Sequence, residues 1–232
     1  MNLFKHRQFK KYIIIWAVRW YLKYGVSYRD LEQMLEERGV KVDHSTINRW
    51  VIFYASKLAH KLKKYWKPKS NKTWYVDETY IKVKGKWTYL YRAVNKQGET
   101  IDFYLSPSRD GESAEHFLRK SLDRLKECQK PQTINTDKNP SYNMAINNLK
   151  EKGEIPDTVQ HRKVKYLNNR IESDHGKLKR LTKPTLGFKS LRTGRATIAG
   201  FEVMRMFKKG QVRGVGNVRE EIDLVTKSLS VF

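Results

Sequence analysis

The chain reads as an α/β (α+β) protein whose mixed sheet with flanking helices is preceded by an all-α domain. Three observations carry that reading. Up to about residue 66 the apolar residues recur at helical spacing, and from Trp74 they switch to strand-like runs rich in β-branched and aromatic side chains. The positive charge is unevenly placed. Residues 1–73 carry 17 basic and 5 acidic groups, residues 74–160 carry 14 and 13, and residues 161–232 carry 17 and 6, which together make the net +24 of the 232-residue chain. Finally, 39% hydrophobic residues suffice for packed cores, so neither basic flank reads as a disordered tail.

Several classes are excluded at the outset. One cysteine, Cys128, rules out an internal disulfide framework and a multi-thiolate zinc site. The longest apolar run, Tyr12 to Val18, is closed by Arg19, too short for a bilayer span and without a small-residue cleavage site after it. The expectation is a reduced, cytoplasmic, nucleoid-associated protein with no membrane partner. At this charge its expected partner is nucleic acid.

In the first third, Ile13, Ala17, Trp20, Tyr21 and Tyr24 mark a helix stopped by Gly25. Ser27 with Asp30 three residues on resembles a capping box for a second helix, with Leu31, Met34 and Leu35 apolar and Gly39 at its end. Asp43, His44 or Ser45 can cap a third, carrying Ile47, Trp50, Val51, Tyr54, Leu58 and Leu62. Three helices with short turns predict a helix-turn-helix domain over 1–66. Its third helix offers Ser45, Thr46, Asn48 and Arg49 to DNA. A basic linker, 67–73, follows.

The next domain, 74–182, opens with a three-strand meander. Trp74–Val83, Trp87–Val94 and Thr100–Leu105 are joined by turns at Lys84–Lys86 and Asn95–Gly98. A helix over 113–128, a short strand at 133–136, a helix over 141–152, a strand at 158–161 and a long helix over 166–181 complete the order β-β-β-α-β-α-β-α. That order is the one of a ribonuclease-H-like fold. A basic C-terminal helical region, 183–232, contains a helix from Leu191 to Phe207. Its Arg192, Arg195, Arg205, Lys208 and Lys209 are candidates to track DNA, or the helix serves dimer contact.

Three acids stand out on this scaffold. Asp77 interrupts an aromatic strand, a costly place for a charge. Asp137 ends the short strand at the carboxyl edge of the sheet, where open α/β sheets bind ligands. Glu172 lies on the long helix. Three converging carboxylates repel one another, and a hard divalent cation removes that penalty. Oxygen-only donors select Mg²⁺, with Mn²⁺ able to substitute. Two such ions, ~3.5–4 Å apart, serve phosphoryl chemistry. Glu78 is excluded because strand alternation turns it to the other face, and Asp174 because it lies about 200° round the helix from Glu172. His175, one turn from Glu172, can face the site or simply pack.

The stretches Trp74–Tyr–Val–Asp–Glu–Thr–Tyr–Ile–Lys–Val–Lys–Gly–Lys–Trp87, Tyr89–Leu–Tyr–Arg–Ala–Val94, Asn135–Thr–Asp137, Lys165–Tyr–Leu–Asn–Asn–Arg–Ile–Glu–Ser–Asp–His175 and His44–Ser–Thr–Ile–Asn–Arg–Trp–Val51 resemble the DDE transposases of bacterial insertion sequences. They are most similar to the cointegrate-forming insertion sequence six family. The likeness runs from about residue 3 to about residue 210.

The resemblance implies a catalytic triad of Asp77, Asp137 and Glu172 binding Mg²⁺, and a DNA-contacting Lys179 seven residues after the glutamate. It implies cleavage that frees a 3′-OH, joining of that end to target DNA, and cointegrate products. The implied partners are double-stranded DNA, both terminal inverted repeats and target, and at least a second copy of the chain. Ser173 departs from the family, which commonly has Gln there. Two other readings fit the same residues: a ribonuclease-H-like nuclease such as a junction resolvase, and a helix-turn-helix regulator whose acids are incidental.

Overall fold

The computed structural model describes residues 3–4, 7–66, 72–123, 125, 127–164 and 169–230, with Cys128 described only in its backbone. The chain forms two compact units: residues 1–67 with 178–232, and residues 68–177. The expected linker lies largely outside the described residues. No helix among them is long and apolar enough to cross a membrane.

The first unit is all-helical. Helices α1 (Lys11–Tyr24), α2 (Tyr28–Glu36) and α3 (His44–Leu62) form as the apolar spacing requires. Gly25 ends α1 in the left-handed conformation at φ 66°. Ser27 and Asp30 make a complete capping box at α2. Of the three candidate caps for α3, Asp43 does the work, accepting from the backbone N–H groups of Ser45 and Thr46.

Helices α7 (Leu191–Lys208) and α8 (Val218–Ser230) belong to the same unit. The sequence reading set 183–232 apart as its own region. The structure differs because α7 is buried almost all round, through Ile198, Gly200, Phe201, Val203, Met204, Met206 and Phe207, and needs partners on several sides. Helices α1 and α3 supply them. Gly200 makes the approach possible: a Cβ there would stand 2.7 Å from Leu22 Cδ2 and 2.8 Å from Ala55 Cβ. Helix α8, which the sequence reading left unassigned, docks through Glu221. This buried carboxylate bonds Arg19 Nε at 2.8 Å and Lys23 Nζ at 2.6 Å.

The second unit is a five-stranded mixed sheet in the order β3-β2-β1-β4-β5. Strands β1 (Thr73–Val83), β2 (Lys86–Asn95) and β3 (Thr100–Ser106) pair antiparallel, while β4 (Thr133–Thr136) runs parallel to β1 and β5 (Gln160–Lys163) parallel to β4. The first hairpin closes through Lys84 and Gly85, both at positive φ (51° and 74°), a two-residue turn whose twist suits antiparallel strands. Helices α4 (Gly111–Leu122) and α5 (Pro140–Glu151) cover one face. Trp74, Val76, Tyr91, Ala93, Phe117, Leu118, Ile134, Tyr142 and Ile146 fill the core between them. With α6 (Asn169–Thr182) the element order is the expected ribonuclease-H-like one.

The boundaries differ in places. Helix α4 starts early because Asp110 caps it through the Ser113 N–H, and it stops at Leu122 with Asp123 as its C-cap, although Leu125 beyond it still packs against the core. Strand β5 begins at Gln160 rather than Thr158. Val159 turns into the core, and pairing of Gln160 with Thr133, not local propensity, sets the ladder. The first residues expected in α6, 166–168, lie outside the described residues.

Candidate active site

Asp77 sits on β1, directly opposite Arg92 of β2, on the face turned away from α4 and α5. Asp137 immediately follows β4. The parallel register that sets Tyr75 beside Asn135, carried two residues further, brings Asp137 alongside Asp77. Thus two acids 60 positions apart in the chain come side by side, Asp77 in the middle of β1 and Asp137 just past the carboxyl end of the neighbouring β4. Asp137 is held locally, its Oδ1 accepting the Asn139 N–H at 3.0 Å, while Asn139 itself caps α5.

Glu172 occupies the exposed first turn of α6. Helix α6 is fastened to the Asp77 face by its next turn. Asp174 Oδ2 accepts from Arg92 Nη2 at 2.5 Å in a fully buried ion pair, and His175 Nδ1 lies 3.7 Å from Asp77 Oδ2.

The electrostatics follow from this packing. Asp77 is pushed from its ordinary 3.8 up to about 8, mainly by burial, then by the negative charges of Glu78 and Asp137, with Glu172 adding to them. Asp137 is raised as well, again mainly by burial, and Glu78 contributes. Asp77 therefore feels the negative charge of both other sequence-selected acids. The three are not drawn up as a finished cage: among the described residues no three His, Cys, Asp or Glu groups stand close enough to hold one ion. The donors are clustered carboxylate oxygens, which is the chemistry that suits a hard divalent cation.

Alternation does turn Glu78 to the α5 side, as expected, yet it is not incidental. It is buried, its Oε2 accepts from the Tyr142 hydroxyl at 2.5 Å, and its Oε1 accepts from Arg109 Nε at 2.6 Å. Asn139 Nδ2 donates to the same Oε1 at 3.4 Å, so Glu78 braces the loop that carries Asp137. The sequence reading missed Arg92, Arg109 and Tyr142. Arg92 had a signal: a charge in the apolar run Tyr89–Val94, which the two-residue turn pairs with Asp77 by counting back from Val83 and Lys86. Arg109 and Tyr142 had none, because their partner is fixed only by the tertiary fold.

The sequence-selected DNA residues fare unevenly. The Ser45 and Thr46 hydroxyls both donate to Asp43, and Arg49 Nη2 donates to Thr46 Oγ1 at 2.7 Å, so the amino end of α3 is bound up in its own cap. Asn48 is half-buried, and Arg49 and Lys179 are exposed. In α7, Arg205 is buried beside Glu202, and Lys208 Nζ donates to the Lys23 carbonyl at 2.9 Å. Arg205 therefore serves packing rather than a solvent-facing DNA track, while Lys208 remains exposed.

Comparison with known proteins places the whole chain. A family model described as a DDE domain matches residues 71–211. The transposase for insertion sequence-like element IS431mec of Staphylococcus aureus is 42% identical over 217 residues, 91% of this chain and 91% of that protein. The transposase for insertion sequence element IS257 in transposon Tn4003, also from S. aureus, matches to the same extent. Among solved structures, the HTLV-2 integrase catalytic core domain aligns at 19% identity and a TM-score of 0.44, covering 56% of this chain and 82% of that one. On the family match and the relatives' identity, the chain belongs to the DDE transposases of bacterial insertion sequences, in the insertion sequence six family, and is a DNA transposase.

Proposed function

We propose that Asp77, Asp137 and Glu172 are the catalytic carboxylates of this transposase and that together they hold Mg²⁺, as two ions, with Mn²⁺ able to replace it. The observation that carries this is the juxtaposition of Asp77, midway along β1, with Asp137 at the end of the neighbouring β4, where burial and the nearby negative charges hold Asp77 up at about 8. When bound, the ions supply charge neutralisation and Lewis-acid activation at phosphorus. The protein's own contribution is positional. The sheet register fixes Asp77 against Asp137. The buried Arg92–Asp174 pair fixes α6, and with it the turn bearing Glu172. Glu78 and Asn139 brace the Asp137 loop.

Two successive displacements at phosphorus follow in this reading. Water attacks the phosphodiester at the element's end and the 3′-oxygen leaves. The freed 3′-OH then attacks a target phosphodiester in line, so that one P–O bond forms as another breaks and no bond to protein is made. The products are cointegrates. Lys179, seven residues beyond Glu172 and close to two helical turns along α6, reaches a phosphate of the end DNA. Ser45, Thr46, Asn48 and Arg49 mark the α3 end that meets duplex DNA, with Asn48 and Arg49 carrying more of the contact because Ser45 and Thr46 are committed to Asp43. Two ends must be held at once, so the working form is a dimer or larger.

The test is incubation of the protein with pre-cleaved end DNA, plasmid target and Mg²⁺. Joining is expected. Cutting without joining would assign a nuclease, and binding alone a regulator. Asp77→Asn, Asp137→Asn and Glu172→Gln are each expected to lower joining by on the order of a hundredfold or more while end binding persists. Wild-type joining by any one of them removes that residue from the triad.

A further inference from the structure

The sheet face that α4 and α5 cover does not end where the helices end. Past Glu78 and Tyr91 it continues along the β1–β2 hairpin as an uncovered aromatic ridge. Tyr80 pairs across the strands with Tyr89, and Lys82 with Trp87, so all four side chains share one face. Tyr80 is 43% exposed and Trp87 57%. The rings brace one another edge to face, Tyr80–Tyr89 at 5.5 Å and Tyr80–Trp87 at 6.1 Å between centroids. Such contacts cover part of each ring, and the exposure of Trp87 and Tyr80 leaves the rest open to solvent. Two cations frame them: Lys82 Nζ lies 5.1 Å from the centre of the Trp87 ring, and the Arg109 guanidinium 5.9 Å from that of Tyr80. From Thr79 to Leu90 the hairpin carries three lysines, Lys82, Lys84 and Lys86, all exposed, and no acid.

We propose that this hairpin binds DNA by stacking Trp87 and Tyr80 on unpaired nucleobases a few nucleotides from the scissile phosphate, with its lysines on the flanking phosphates. The inference rests on the chain acting on DNA. Charge selects a polyanion, and open aromatic faces select a flat apolar partner. Inside a duplex the base faces are covered by their neighbours, so the fitting partner is a strand whose bases have come apart. Place selects which bases. Tyr80 is three residues from Asp77 along one strand and Lys82 five, about 10 and 17 Å at strand rise but on the opposite face of the sheet, so a DNA strand leaving Asp77 reaches the ridge in a few nucleotides by passing over the β1 edge beyond its last pair with β4, Tyr75 with Asn135. The ridge would then keep an opened end from closing again while its phosphate is attacked.

Two readouts test this, and only one needs catalysis. The first uses a single-stranded oligonucleotide of end sequence carrying 2-aminopurine. Wild-type protein is expected to quench the fluorophore by stacking, and Trp87→Ala to bind about tenfold more weakly and to quench little, with Trp87→Phe close to wild type. The second compares joining of fully paired ends with ends pre-opened by terminal mismatches. Trp87→Ala should lose several-fold on paired ends and recover on opened ones. Equal quenching and equal joining by Trp87→Ala would overturn the proposal. So would a loss that opened ends do not repair and that accompanies a fall in the sedimenting mass, because a second copy of the chain would then be what covers the ridge. If wild-type protein quenches normally but never joins, the catalytic reading fails and this one stands.

Discussion

Asp77 concentrates the chemistry of the site in one side chain. Its raised value has a sign that can be worked out. The folded protein binds the Asp77 proton more tightly than the unfolded chain, whose carboxyl titrates near 3.8. Metal-free protein therefore gains its Asp77-linked stability fully below about pH 4 and loses it as pH rises to about 8. Melting in EDTA should show the midpoint falling between pH 5 and pH 8, by at least about 2 °C more in wild type than in Asp77→Asn, which has no carboxyl to ionise. Equal pH slopes in the two proteins would mean that Asp77 is not held in that environment. The same charge that destabilises the metal-free site makes it a receptor for a divalent cation.

Elements carry the next level, and they show where a linear reading succeeds. The hairpin, the capping box at Ser27 and the Gly25 stop were all legible, because each depends on a few neighbouring residues. The places of Asp77 on β1 and of Asp137 just after β4 are legible because strand periodicity needs no tertiary information. Glu78, Arg109 and Tyr142 form a network that only the assembled sheet and α5 create, so no spacing betrays it. Helix α8 is a different case. Ile222, Val225 and Leu229 recur at helical spacing, but its anchor is Glu221 in a buried pair with Arg19 and Lys23, some 200 residues away. Gly200 tests the packing directly. Its replacement by Ala improves helix propensity by up to about 1 kcal/mol. It also sets a methyl group within 2.8 Å of Leu22 and Ala55. Overpacking wins, and urea unfolding should show Gly200→Ala destabilised by about 1–3 kcal/mol. A neutral or stabilised variant would mean that α7 does not approach α1 and α3 so closely.

Across the whole molecule, charge and topology divide the labour. The nearly neutral stretch 74–160 builds most of the sheet and carries two of the three acids, while the excess cations lie in the flanks that form most of the helical unit. That unit takes in both ends of the chain, a closure invisible to a reading that proceeds from one end to the other. With a net +24, binding to end DNA neutralises many phosphates at once. Affinity should fall about 10³–10⁵-fold between 50 and 200 mM salt if some six to ten phosphates are contacted. A flat response in a filter-binding or anisotropy titration would show that the charge is not what holds the DNA.

Convergence of the three carboxylates is the claim on which the catalytic reading stands, since Glu172 lies on an exposed turn and no three such groups among the described residues stand close enough to hold one ion. A crystal structure of the protein on pre-cleaved end DNA with Mn²⁺, located by anomalous scattering, measures it. Manganese is expected between the middle of β1 and the carboxyl end of β4, with oxygens of Asp77, Asp137 and Glu172 all among its ligands. Manganese bound without Glu172, or bound elsewhere while the DNA end is correctly seated, would contradict that convergence.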